Sequence, residues 1–279
     1  MTISAADLKD ALTAVRETTP LVHCITNYVT VNDCANALLA CGGSPIMSDE
    51  PEDVADITSI CGGLVLNIGT LNQHSIEGMR VAGKRAAELE HAIVLDPVGA
   101  GASALRTATA SELIDALPIT VIRGNMSEVK AVAGAASFTR GVDVNPDDVV
   151  TDENLAESAA FARELAAKLD AIVAITGAID IVASADRAVA IRNGVALMGK
   201  MTGAGCVLSC LVGAYVTANP ASRLEAVVAA IAGEGLAGQI AASRMGELDG
   251  NGSFRTYLLD AICNMTAEQL AAGALVEEL

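Results

Sequence analysis

Leu8, Leu12 and Val15 recur at helical spacing behind Ser4, which predicts a short amphipathic helix with Ser4 as its N-cap. The periodicity then changes. Apolar runs of strand length follow at 22–25, 64–68, 93–95, 120–122 and 172–175, each with a helical pattern after it. Such alternation predicts parallel βαβ units, whose right-handed crossovers cover both sheet faces with helices. Segments 179–183 and 187–192, joined around Ala185-Asp186, read instead as an antiparallel hairpin at one edge. From Gly203 onward the chain reads as helical almost throughout, with Pro220 separating two long apolar helices and Gly252 preceding another. The predicted fold is α/β: a three-layer α/β/α sandwich around a mostly parallel central sheet.

Composition sharpens this picture. The 279 residues contain no Pro/Gly/Ser-rich linker or charge run, so one domain over residues 1–279 is expected. Hydrophobic residues make up 52% of the chain, aromatics 2%, and there is no Trp, so Ala, Val, Ile and Leu must build the core. No apolar run reaches the roughly 18 residues of a membrane span, and the N-terminus lacks a signal-peptide pattern; a soluble, cytoplasmic protein is expected. A formal net charge of −17 disfavours nucleic acid and anionic membranes as partners. An anionic substrate would need local cations, for which Arg123, Lys200 or a bound metal are available. Seven cysteines without a CxxC pair point to reduced thiols. Cys206 and Cys210 share a helical face but lack a suitably spaced third ligand, and His23, His74 and His91 show no ligand spacing either.

Candidate chemistry concentrates in Met201-Thr202-Gly203-Ala204-Gly205-Cys206, where two glycines open a long apolar segment. A helix N-terminus presents unpaired N–H groups and a positive dipole end, and glycine lets a phosphate approach the backbone. A tight turn before a buried helix explains the same tripeptide equally well. Three strand ends favour the phosphate reading, because Asp96-Pro97, Arg123-Gly124-Asn125 and Thr176-Gly177 deliver polar groups where open α/β sheets bind ligands. Asp96 is a hard oxygen ligand suited to magnesium, or a cap on a local turn. Two imitations are set aside. Residues 78–85 resemble a P-loop, but Arg85 stands where Ser or Thr would hold magnesium, and the stretch lies within a helical pattern. Residues 99–103 begin like a dinucleotide fingerprint, but Ala104 replaces the third glycine and no helix is expected directly behind; a mobile glycine loop near the phosphates is the better account.

LDPVGAGAS (95–103), IRGNMSE (122–128), ITG (175–177) and MTGAGC (201–206), in this order, together with PLVHCITN (20–27) and SPIMS (44–48), resemble hydroxyethylthiazole kinases of the ribokinase-like superfamily. The resemblance covers nearly the whole chain. It implies transfer of phosphate from ATP, with Mg2+, to the hydroxyl of 4-methyl-5-(2-hydroxyethyl)thiazole, a thiamine salvage step. It further implies that Arg123 and Thr176 contact ATP, that Met47 and Gly203 contact the thiazole, and that Glu128 has a magnesium-linked role. Gly205 falls to the phosphate-facing turn, and Asn27 to the substrate or to ordering its loop. A first-turn Glu128 stabilising a helix dipole and a turn-capping Thr176 remain the plainer alternatives. Cys206 stands where many related sugar kinases place an aspartate as general base. A thiol of ordinary pKa is only about 3% ionised at pH 7, although a helix N-terminus can lower that pKa. Gly199 and Met201 differ from the expected flanking residues. The resemblance also implies a homotrimer with shared active sites. A kinase for another small alcohol, such as hydroxymethylpyrimidine, and a nucleotide-binding regulator without turnover are the rival readings.

Overall fold

The computed structural model describes residues 2–135 and 149–279. Helix α1 (Ala5–Thr18) opens with the expected cap: the Ser4 hydroxyl accepts the Asp7 N–H, and the Asp7 carboxylate accepts the Ser4 N–H in return. Then follow β1 (Leu21–Ile25), α2 (Val31–Cys41), β2 (Ser44–Met47), α3 (Val54–Ile60), β3 (Gly63–Asn67), α4 (Gln73–Glu88), β4 (Ala92–Asp96), α5 (Ala104–Ala116), β5 (Val121–Asn125) and α6 (Met126–Ala135). Beyond the undescribed segment come α7 (Leu155–Leu169), β6 (Ile172–Thr176), β7 (Asp180–Ala183), β8 (Ala188–Ile191), a 3-10 turn (Ala196–Lys200), α8 (Ala204–Ala218), α9 (Arg223–Ser243), α10 (Asn251–Asn264), α11 (Ala267–Gly273) and β9 (Val276–Glu278).

The strands form one sheet in the order β2-β1-β3-β4-β5-β6-β7-β8-β9. Pairings from β2 through β6 are parallel, and the last three are antiparallel. Alternate residues of each strand face opposite sides, so the apolar runs supply two cores at once. Leu64, Leu66, Ile93, Leu95 and Ile122 join one core, whereas Val65, Val94 and Val121 join the other with residues of α1, α2, α8, α9 and α10. Each such side chain, fully buried, contributes about 1.5–3 kcal/mol. The expected sandwich is therefore present, and it brings the carboxyl ends of β1, β3, β4, β5 and β6 to one rim.

Four local expectations are corrected. Ile172–Thr176 leads straight into the β7–β8 hairpin rather than into a helix. That hairpin is not itself the edge, because β9 pairs with β8 beyond it. Gly252 lies inside α10, which begins at Asn251. Helix α5 does start directly behind residues 99–103, where Ser103 accepts the Arg106 N–H as N-cap. Strand β2 is an addition that its Pro45 and short length concealed. The imitation P-loop lies within α4, as expected. The small-residue stretch 229–238 lies in α9, which packs closely against α8 and α10. Helix α9 is long and apolar enough to cross a membrane by composition, and it is mostly buried within the fold, as a core helix is.

Candidate active site

Polar side chains at the ends of five neighbouring parallel strands form one hydrogen-bonded row. Asn27, two residues beyond β1, donates through Nδ2 to Cys206 Sγ at 2.8 Å and to Asn67 Oδ1 at 3.4 Å. Asn67, the last residue of β3, donates to Asp96 Oδ2 at 2.8 Å. Asp96 ends β4, and the same oxygen accepts Ser209 Oγ at 2.7 Å and Arg123 Nη1 at 3.4 Å. Arg123, in β5, reaches Thr176 Oγ1 at the end of β6 at 2.6 Å and the Gly205 carbonyl at 3.1 Å. Strand alternation explains four members of the row: Asn67, Asp96, Arg123 and Thr176 each follow by two residues an apolar residue of the same core, Val65, Val94, Val121 and Ala174, and Asn27 joins from beyond β1.

Burial sets the electrostatics. It raises the Asp96 pKa to about 6, although Arg123 and Ser209 pull it down. Burial opposes the charge of Arg123, but the surrounding carboxylates, Asp96 first, more than restore it. The Cys206 thiol is pushed upward, by burial first and by Asp96 next. An apolar setting and a neighbouring carboxylate thus work against the lowering that a helix N-terminus favours.

Helix α8 starts at Ala204 with Gly203 as N-cap in the left-handed region, at φ 86°. A Cβ on Gly203 would collide with the Thr30 side chain, and one on Gly205 would come 2.7 Å from Arg123 Nη2. Both glycines are thus needed for packing around the turn, and Gly205 is what lets Arg123 pass beneath α8. Beside this turn lies an open cavity of about 660 Å3. Arg123, Thr176, Gly203 and Gly205 line it, with Met198, Leu208 and Ile231 as apolar wall and Asp180, Asn193 and Glu234 as further polar groups.

The remaining candidates are placed less directly. Glu128 does not enter the row: its Oε1 accepts the Gly99 N–H and its Oε2 the Asn125 N–H, each at 2.8 Å, which fastens the glycine loop to the start of α6. Met47 ends β2 opposite Cys24 of β1, partly buried against the core, with no described contact to the row. Lys200 is exposed and does not line the cavity; Arg192 does. Cys24, Cys34, Cys206 and Cys210 are buried free thiols, whereas Cys263 is exposed. Sequence reasoning missed Asn67, Ser209, Asn193, Asp180 and Glu234. Each is a single polar residue in or beside an apolar run, and its isolation there was the available signal.

The residues fit a magnesium ion held in the manner usual for phosphoryl transfer. Asp96 Oδ1 is buried and has no hydrogen-bond partner, which suits a hard cation or its water. Among the described residues no group of three or more His, Cys, Asp or Glu side chains converges, so most other ligands would come from phosphate and water.

The model of the hydroxyethylthiazole kinase family matches residues 12–268. The chain belongs to this family. The hydroxyethylthiazole kinase of Clostridium acetobutylicum is 50% identical to it, covering 97% of this chain and 99% of that one. That of Desulfovibrio desulfuricans is 45% identical, covering 97% and 98%. The solved hydroxyethylthiazole kinase structure from Pyrococcus horikoshii OT3 superposes with a TM-score of 0.87 at 34% identity, covering 98% of each chain. A pyridoxal kinase of Staphylococcus aureus, at 14% identity and a TM-score of 0.60 over 93% of this chain and 97% of that one, shares the fold.

Proposed function

We propose that this chain, acting as one domain, transfers the γ-phosphoryl group of ATP to the hydroxyl of 4-methyl-5-(2-hydroxyethyl)thiazole. The observation that carries this reading is the continuous row from Asn27 to Thr176, which passes beneath the α8 N-terminus beside the cavity. A loose phosphoryl-transfer transition state asks a protein mainly to align the reactants and neutralise oxygens. Arg123, Thr176 and the N–H groups at Gly205 and Cys206 supply donors on the cavity side. Asn27, Cys206, Gly203 and Met47 would receive the thiazole alcohol on the other side of the turn. The alcohol oxygen bonds to phosphorus as the bond to the ADP oxygen breaks, and the hydroxyl proton leaves late, to an oxygen of the transferred phosphoryl group and from there to solvent. Because its pKa is raised, the Cys206 thiol already carries its proton at neutral pH and offers little thiolate as base, so Asn27 and Cys206 contribute chiefly by holding the hydroxyl in line.

Magnesium held at Asp96, with Glu128 nearby through the glycine loop, would neutralise charge on the phosphate oxygens. Two features support a homotrimer that shares its sites. Strand β2, which carries Met47, is a half-buried sheet edge, and Tyr28 and Val29 beside Asn27 are 56% and 68% exposed. The free cysteines support a cytoplasmic setting, and the acidic composition favours small-molecule substrates over nucleic acid.

ADP formation from MgATP tests the reading. The thiazole alcohol should stimulate it strongly, and hydroxymethylpyrimidine should not. Stimulation by the pyrimidine alone would transfer the chain to the rival substrate, and ATP binding without turnover would make it a regulator.

A further inference from the structure

Glu234 is a carboxyl group in the middle of an Ala- and Gly-rich helix, 3% exposed. It lies between two spaces. On one side is the large cavity, which it lines with Arg123, Gly205, Leu208 and Ile231. On the other is a void of about 10 Å3, room for roughly one water, lined by Leu12, Cys41, Leu211, Tyr215, Ile262 and Met265. Its Oε1 is buried without a partner, and no described N–H or O–H group donates to the carboxyl. The row described above does not use it.

The groups facing it explain its state. From β7, Asp180 presents a like charge; from β5, Arg123 presents the opposite one. Arg123 gives hydrogen bonds from its terminal nitrogens to Asp96, Gly205 and Thr176, and its Nε, buried and without a partner, makes none to Glu234. Arg192, on the cavity wall beyond β8, is held by Asp152 and Glu277. Cys41 of α2 and Tyr215 of α8 have raised pKa values and stay neutral, and the contributions of α1, α10 and the 3-10 turn (Leu12, Ile262 and Met198) carry no charge. A carboxylate so placed lacks both solvent and donors, and the neutral acid is the favoured form. Burial accordingly raises the group to about pH 8, with Arg123 opposing the shift.

A protonated carboxyl is a hydrogen-bond donor, whereas an ionised one repels anions. The cavity end it faces is where Arg123 and the α8 N-terminus converge, and that is where phosphate oxygens are expected. We infer that Glu234 is a further nucleotide-binding residue, which meets the phosphates as a neutral acid and donates its O–H to a phosphate oxygen. The inference rests on reading the cavity as the nucleotide site. Nucleotide binding then requires the proton, and affinity falls as the pH rises through the titration of Glu234.

The test is calorimetric titration with ADP at pH 7.5 and pH 9, in buffers of different ionisation enthalpy, on the wild type, Glu234→Gln and Glu234→Ala. Circular dichroism checks that each variant is folded. Asp180, raised to about 7, is largely ionised before this window opens. Wild-type affinity should fall about eight-fold across it if only the protonated form binds. Glu234→Gln keeps a neutral donor, so it should match the wild type at pH 7.5 and lose the pH dependence. Glu234→Ala should bind about ten-fold more weakly at pH 7.5, also without pH dependence. A fall retained in Glu234→Gln, or absent from the wild type, overturns the assignment while leaving the cavity a nucleotide site. Failure of the wild type to bind ADP at either pH overturns the nucleotide reading itself, and the assignment with it.

Discussion

A methyl group on Gly205 would stand 2.7 Å from Nη2 and 2.8 Å from Nη1 of Arg123. Either the guanidinium moves or the first turn of α8 lifts, and both break the contacts to Thr176 and the Gly205 carbonyl. Charge-assisted hydrogen bonds contribute about 1.5–3 kcal/mol, so Gly205→Ala should lower kcat/KM for ATP roughly 10–100-fold. Binding of the thiazole alcohol, which touches the other side of the turn, should change little. Steady-state kinetics with each substrate varied, alongside direct thiazole binding, checks this; an unchanged ATP profile would mean that Arg123 tolerates displacement. The sequence pointed to this glycine for a related reason, close phosphate approach, but the guanidinium beneath it was not legible. Arg123 and Gly205 are far apart in the chain, and no spacing rule links a β5 side chain to an α8 backbone. Glu128 shows the same limit, since its position one turn into α6 was legible but its bond to Gly99 was not.

Helix α5 holds two strand-end loops together through one side chain. Arg106 donates from Nη1 to the carbonyls of Ile68 and Val98, at 3.0 and 2.7 Å, and from Nη2 to that of Gly69 at 2.7 Å. These loops follow β3 and β4, and their N–H groups fix site residues: Gly69 donates to Asn67, and Gly99 to Glu128. A lysine keeps the charge but cannot span three carbonyls with one ammonium. Arg106→Lys should therefore reduce kcat about ten-fold, equivalent to ~1.4 kcal/mol, with a Tm near that of the wild type. An unaltered kcat, measured at saturating ATP and thiazole alcohol, would show that the loops keep their geometry unaided. Among the elements, long periodic ones were legible: α1 with its Ser4 cap, the five parallel strands, the hairpin, and the helices either side of Pro220. Strands β2 and β9 were not. The first contains Pro45, and the second is Val276-Glu277-Glu278, whose side chains carry no apolar alternation; each is specified by the neighbouring strand that it pairs with.

Among the described residues, three acids titrate above their ordinary values: the buried Asp96 at about 6, the half-buried Asp180 at about 7 and the buried Glu234 at about 8. A raised acid pKa means that the native state holds a proton the unfolded chain has released. The stability these groups contribute is thus full below the ordinary carboxyl range and is lost as pH rises from there to the raised values. Thermal unfolding without ligands should give a Tm that falls between pH 5 and pH 8.5. Glu234→Gln should flatten that slope across the whole window, by on the order of 4 kcal/mol for this one group. Surface repulsion in a chain of net charge −17 has the same sign, but ~0.5 M salt screens it and leaves the buried contribution. A Tm that is flat with pH in high salt would remove the buried acids as the cause. The arrangement of α1 bears on how the protein is made. This first helix packs against α8, α9 and α11, and the Ile3 N–H donates to Glu278. A ribosome extrudes α1 before any of these partners exists, so its apolar face must wait until α8, α9 and α11 have emerged before it can dock. Contacts of such sequence separation slow the final folding step and leave a sticky helix exposed meanwhile. The nascent chain, rather than the finished enzyme, is therefore the form most in need of a chaperone.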